Sequence, residues 1–169
     1  MAKGRVAGTD VVLLEPQTYM NLSGEAVGPA LGFYKLGVDQ VIVVHDELDL
    51  ELGKNRLKRG GGHGGHNGLR SLIQHLPSPE FIRLRMGIGR PPQGWDPADY
   101  VLSRFTSADR TIADRAVEEA ADAIEAVLKD GLAKAMNTVN RDPKESPGTR
   151  KSKAAEVKTE APSGSSEKD

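Results

Sequence analysis

Three short clusters hold the side chains of this sequence that could do chemistry. They are Tyr19-Met20-Asn21, His45-Asp46-Glu47 and the run Gly60-Gly61-Gly62-His63-Gly64-Gly65-His66-Asn67-Gly68. Together they offer amides, a carboxylate and imidazoles. Six of the nine residues in the last cluster are glycine, which is costly to order unless the backbone must approach something closely or adopt positive φ. A glycine loop feeding a helix start presents free N–H groups and a positive dipole end to an anion; the plainer alternative is a solvated, flexible loop. A metal site from His45, Asp46, His63 and His66 is the weaker option, because a mobile His-x-x-His loop holds coordination geometry loosely. No serine or cysteine sits in a nucleophile-elbow pattern. Each residue also has a structural role open to it. Asn21 could cap a helix, Asp46 could pin a loop, Tyr19 and Met20 could edge a core, and Arg83 and Arg85 could alternate outward on a wet strand face.

The elements that must position these clusters follow from periodicity. Val11-Val12-Leu13-Leu14 is an apolar run that predicts a buried strand ending at Glu15-Pro16. Ser23 is expected to cap a helix to about Leu36, with Val27, Leu31 and Tyr34 on one side and Gly37 as its stop. Val41-Ile42-Val43-Val44 predicts a second strand, which delivers His45-Asp46-Glu47 at its end. Further strands are expected at Asn55 to Lys58 and Ile82 to Ile88. Leu69, Leu72, Ile73 and Leu76 predict a helix beginning at Asn67 or Gly68. A helical turn at Asp99 to Phe105, a long helix over Thr106 to Lys129 and a short one to Val139 complete the domain. Unbroken β-branched runs separated by a helix argue for a sheet covered on both faces. The expected fold is therefore a three-layer α/β/α single domain with a mixed, largely parallel central sheet. In such sheets ligands bind beyond the carboxyl ends of the strands, where all three clusters fall.

Composition sets the limits. Residues 1–140 can bury a real core, whereas in 141–169 Val157 is the only large apolar side chain, so a disordered polar tail is expected there. The net charge of −1 conceals an asymmetry. Between Lys54 and Arg90 eight bases, Lys58 and Arg85 among them, face Glu80 alone; between Asp96 and Asp130 nine acids face four bases. A basic block around the glycine loop fits a polyanion partner. Zero cysteines exclude disulfides and suit a reducing cytoplasm, and no apolar run reaches the length of a membrane span.

Four motifs in order carry a resemblance. Pro16-Gln17-Thr18-Tyr19-Met20-Asn21-Leu22-Ser23-Gly24, His45-Asp46-Glu47-Leu48-Asp49, the glycine loop through Leu69, and Phe81-Ile82-Arg83-Leu84-Arg85-Met86-Gly87-Ile88-Gly89 together resemble bacterial peptidyl-tRNA hydrolase, over roughly Gly4 to Asn140. The resemblance implies cleavage of the ester joining a peptide to the 3′ end of tRNA, by a water molecule, with no metal or other cofactor, in a cytoplasmic monomer. It implies that Asn21 and Asn67 hold the substrate, since amides accept from a peptide N–H and donate to an ester oxygen. It places Tyr19 against the tRNA 3′ end, Met20 and His66 as groove walls, and Lys58 and Arg85 on a tRNA phosphate. Asp46 is implied to orient the catalytic histidine and stabilise its charged form. Members of the family begin with a strand, Gly-Asn-Pro-Gly and a Thr-Arg-His-Asn segment that carries that histidine. Neither motif occurs in these 169 residues. The expectations are that Asp46 serves a base this chain does not supply, that the fold is weakened for want of the strand, and that inactive tRNA binding is the alternative function.

Overall fold

A computed structural model describes residues 1–141 of the chain. Its organising element is β5 (Ile82–Gly87), the centre of a three-stranded sheet. β3 (Ile42–Glu47) pairs with β5 in parallel, and β4 (Asn55–Arg59) pairs with it antiparallel on the other side. Val44 and Leu57 thus flank Leu84 in register. The sheet is mixed, and helices cover both faces. On one, α1 (Ser23–Tyr34) and α2 (Asn67–His75) bring Val27, Leu31, Leu69 and Leu72 onto Val41, Val43 and Phe81. On the other, α4 (Ser107–Asp130) and α5 (Leu132–Val139) pack Ala120, Ala123, Val127 and Ala135 on Leu57, Ile82 and Leu84. Small side chains on α4 let the helix lie close to the strands. A short α3 (Pro97–Val101) is started by Asp96, whose carboxylate accepts from the Ala98 and Asp99 amides. Thr106 caps α4 through the Asp109 amide. The outer edge of β4 is closed by the Asn140 amide, which accepts from Leu57 N–H at 2.8 Å and donates to its carbonyl at 2.9 Å. It acts as a one-residue substitute for a neighbouring strand, protecting an otherwise open edge.

The three layers match the expected fold, but three local expectations are corrected. Val11–Leu14 does not enter the central sheet. β2 (Thr9–Leu13) pairs only with β1 (Ala2–Val6), in a separate antiparallel hairpin, and Leu13 is 64% exposed. Ala7 and Gly8 at its turn both have positive φ, +49° and +82°, as in primed hairpin turns. Pairing across so short a loop carries little closure entropy. Ser23 is not a cap either. It is the first residue of α1, and its hydroxyl donates to the Met20 carbonyl at 2.8 Å, fixing the 3-10 turn Met20–Leu22. The helix ends at Lys35, with φ +56°, rather than at Gly37. The expected disordered tail lies, Arg141 aside, outside the described residues. No helix among the described residues is long and apolar enough to cross a membrane.

Gly24 is where α1 touches α2. Its N–H donates to Ser71 Oγ at 2.9 Å, and an added Cβ would stand 2.3 Å from the Ser71 carbonyl oxygen. Gly24→Ala is therefore expected to force the helices apart at a cost of about 1–3 kcal/mol or more, measurable as a lower urea midpoint at unchanged slope.

Candidate functional site

The α1–α2 contact places the first polar cluster against the third, and the end of β3 brings Asp46 to His66. Met20 Sδ lies over the first turn of α2, at the point where a Cβ on Gly68 would come within 2.6 Å of it. The absence of a side chain at Gly68 thus lets the Asn21 turn lie against the helix that starts with Asn67. Both asparagines are exposed, and neither side chain bonds to another described residue. Their amides remain open to a ligand. Tyr19, 82% exposed, precedes the same turn.

Asp46 and His66 meet directly. His66 is the N-cap of α2, where its Nδ1 accepts from the Leu69 N–H at 3.2 Å. That bond fixes the tautomer, because an accepting Nδ1 carries no proton. Nε2 is then the protonated nitrogen, and it donates to Asp46 Oδ1 at 3.1 Å. This bond holds the Asp46 carboxyl below its usual pKa, against the opposing effect of burial. The His45 ring packs edge-on to His66, with centroids 5.1 Å apart. Its Nδ1–H donates to the Asp46 carbonyl at 2.6 Å, while Nε2 is buried without a partner among the described residues. Burial pushes the His45 pKa down. The other two histidines are also engaged locally: His63 Nδ1 accepts from Gly65 N–H, and His75 Nδ1–H donates to the Ser71 carbonyl.

Both shifts act in the same direction on stability. His45 has a folded pKa below its unfolded value, so the fold loses stability as pH falls from about 6.5 toward that lower value. Asp46, also depressed, contributes stability above about pH 3.9 that is lost as pH falls through its folded pKa. Melting temperature should therefore fall in two acid steps. His45→Gln should remove the upper one, and an unchanged upper step would contradict its assignment.

The basic residues divide. Lys58 is exposed and makes no ion pair with a described residue; its ammonium hangs over Gly61, 2.6 Å from where a Cβ would be. Arg85 is half-buried and bonds Glu47 Oε2 through Nε at 2.9 Å, so part of its charge is already matched. Arg83 corrects the expectation of a wet strand face. It is 3% exposed and turns under the glycine loop, where its guanidinium donates to the Gly61 and Gly62 carbonyls. Strand alternation put it on the right face but could not show that the loop folds over that face.

Asp46 also opens on a cleft of about 500 Å³, walled by Ile88, Trp95, Tyr100, Arg104 and Phe105. Sequence reasoning missed this wall, since the Pro91–Trp95 stretch shows no period. A larger apolar groove, about 780 Å³, runs between α1 and the end of α2, with Gly28, Leu31 and Leu76 in its lining. It contains neither Asp46 nor either asparagine.

The sequence model of the peptidyl-tRNA hydrolase family matches residues 1–147. A peptidyl-tRNA hydrolase of Anaeromyxobacter dehalogenans strain 2CP-C is 53% identical over 141 residues, 83% of this chain and 73% of the relative. One from Mycolicibacterium smegmatis is 53% identical over 137 residues, 81% of this chain and 72% of the relative. The crystal structure of peptidyl-tRNA hydrolase from Acinetobacter baumannii superposes with a TM-score of 0.76 at 41% identity, covering 82% of this chain and 70% of that one. With its motifs, its three-layer fold and these relatives in agreement, the chain belongs to the peptidyl-tRNA hydrolase family.

Proposed function

We propose that this chain binds peptidyl-tRNA by its 3′ end and that its site serves hydrolysis of the peptide–tRNA ester. The observation that carries this is the pair of unengaged amides, Asn21 and Asn67, on touching segments next to the Asp46–His66 pair. Water adds to the ester carbonyl, the oxyanion takes a hydrogen bond from an amide, and the C–O bond to the ribose breaks. The proton returns to the departing ribose oxygen, freeing the peptide acid and the tRNA. In this scheme Tyr19 stacks on the terminal base, a contact of about 1–3 kcal/mol, Met20 and His66 wall the groove, and Lys58 meets a phosphate with Arg85 in support. Asp46 orients the imidazole that activates the water. The molecule works as a cytoplasmic monomer without a cofactor.

The histidines favour a second reading, binding without turnover. Both ring nitrogens of His66 are spoken for, and the unbonded Nε2 of His45 is out of reach of water. None of the chain's four histidines presents an accessible lone pair beside Asp46. The test is to measure binding and release separately, on N-acetylaminoacyl-tRNA. Salt-dependent binding is expected, and its absence would sink the proposal. Lys58→Met should weaken binding several-fold and reduce the slope of log affinity against log salt by about 1.

A further inference from the structure

Arg83 is buried in an orientation that needs a reason. Its Nε has no partner among the described residues, and a solvent-facing pose would have spared the chain the burial of a guanidinium. What holds it is Phe81, whose ring it covers at 4.7 Å, and two loop carbonyls: Gly62 O at 2.6 Å and Gly61 O. A trans peptide sets its C=O and N–H on opposite sides. Drawing the Gly61 and Gly62 carbonyls inward therefore turns the N–H groups of Gly62 and His63 outward. Neither N–H bonds another described residue. Gly60 and Gly61, with φ of +63° and +105°, give the loop the curvature for this. Successive outward amides of this kind form an anion-binding concavity. The Lys58 ammonium stands over Gly61, and the Glu80 carboxylate lies against the neighbouring Gly60.

We propose that Arg83 is a positioning residue that aims the Gly62 and His63 amides outward beside Lys58, and that these three groups seat a phosphate of the bound RNA. This rests on the function proposed above and assigns the phosphate contact to the loop backbone, with Arg85 left largely to Glu47.

The experiment uses the full chain and an RNA hairpin ending in single-stranded CCA, with an acetylated amino acid on its 3′ end through a hydrolysis-resistant amide. In the wild type, binding should shift the Gly62 and His63 amide resonances. Arg83→Gln should bind about tenfold more weakly, with a salt slope flatter by roughly 0.7–0.9, the loss of one phosphate contact. Arg83→Lys should lie between the two. An arginine with only a structural role would lower the melting temperature but leave the folded protein's salt slope unchanged, and that result would overturn the proposal. Unmoved Gly62 and His63 amides would overturn it too. If Arg83→Gln does not fold, Arg83→Lys gives the same readings. If the wild type fails to bind the hairpin, the function proposed above fails. The seat is then judged by titrating inorganic phosphate against the two amides, and no shift there overturns it.

Discussion

Replacing Phe81 by alanine is expected to remove about 3–5 kcal/mol of stability, the usual range for deleting a buried ring. Phe81 is fully buried and joins Leu69, Leu72 and Leu76 of the α2 side to the sheet. It also lies under the Arg83 guanidinium, and its carbonyl accepts from the Gly60 N–H at the root of the glycine loop. One side chain thus connects the core to the loop that carries His66 and Asn67. Since a domain of this size has about 5–15 kcal/mol in total, the variant should unfold near room temperature or at low urea. Phe81→Leu, which keeps most of the volume, should cost under about 1.5 kcal/mol. Chemical denaturation of the two variants side by side checks this. Equal, small losses would show that the core is not centred on this ring.

The second large effect is on binding and leaves the fold alone. Asn21 and Asn67 are exposed and bond to no other described residue, so Asn21→Ala with Asn67→Ala should change stability by no more than about 0.5 kcal/mol. A neutral hydrogen bond contributes about 0.5–1.5 kcal/mol net. The pair should therefore weaken binding of an amide-linked peptidyl-RNA by roughly 5- to 150-fold. Where the ester is hydrolysed, the loss of an oxyanion donor would appear in turnover, at about 10²–10³-fold. Titration of the double variant against the wild type at fixed salt measures the binding loss. Unchanged affinity would remove both asparagines from the site.

What the sequence made legible was whatever has a short period or a local cap. The spacing of Leu69, Leu72 and Leu76 located α2, and the runs at Val41 and Ile82 located β3 and β5. Only His45-Asp46-Glu47 lies at the carboxyl end of a strand of the central sheet. Tyr19-Met20-Asn21 follows β2 outside it, and the glycine loop leaves antiparallel β4 at the opposite edge and reaches Asp46 through His66. Less visible were contacts made by residues of unremarkable type at long range. Ala2–Val6 has no apolar alternation, so β1 was missed, and with it the hairpin that draws β2 away from the sheet. Asn140 closing the edge of β4 reaches back 83 residues. Arg83 shows the limit most clearly. Alternation gave its face, but whether that face meets water depends on the path of the glycine loop. At the site, the sequence marked Asp46 and His66 separately. Their bond to each other depends on His66 capping α2, which turns its Nε2 toward the end of β3.

The most direct measurement follows the fate of N-acetylaminoacyl-tRNA mixed with excess purified 169-residue chain, bound and released fractions being counted together over time. The expected result is binding that weakens steeply with salt and a release rate no greater than that of free peptidyl-tRNA in buffer. Its basis is that every histidine ring nitrogen near Asp46 is either hydrogen-bonded or sealed from water. Repeated, rapid turnover would contradict it, and loss of that turnover in His45→Gln or His66→Gln would name the histidine that serves as the base.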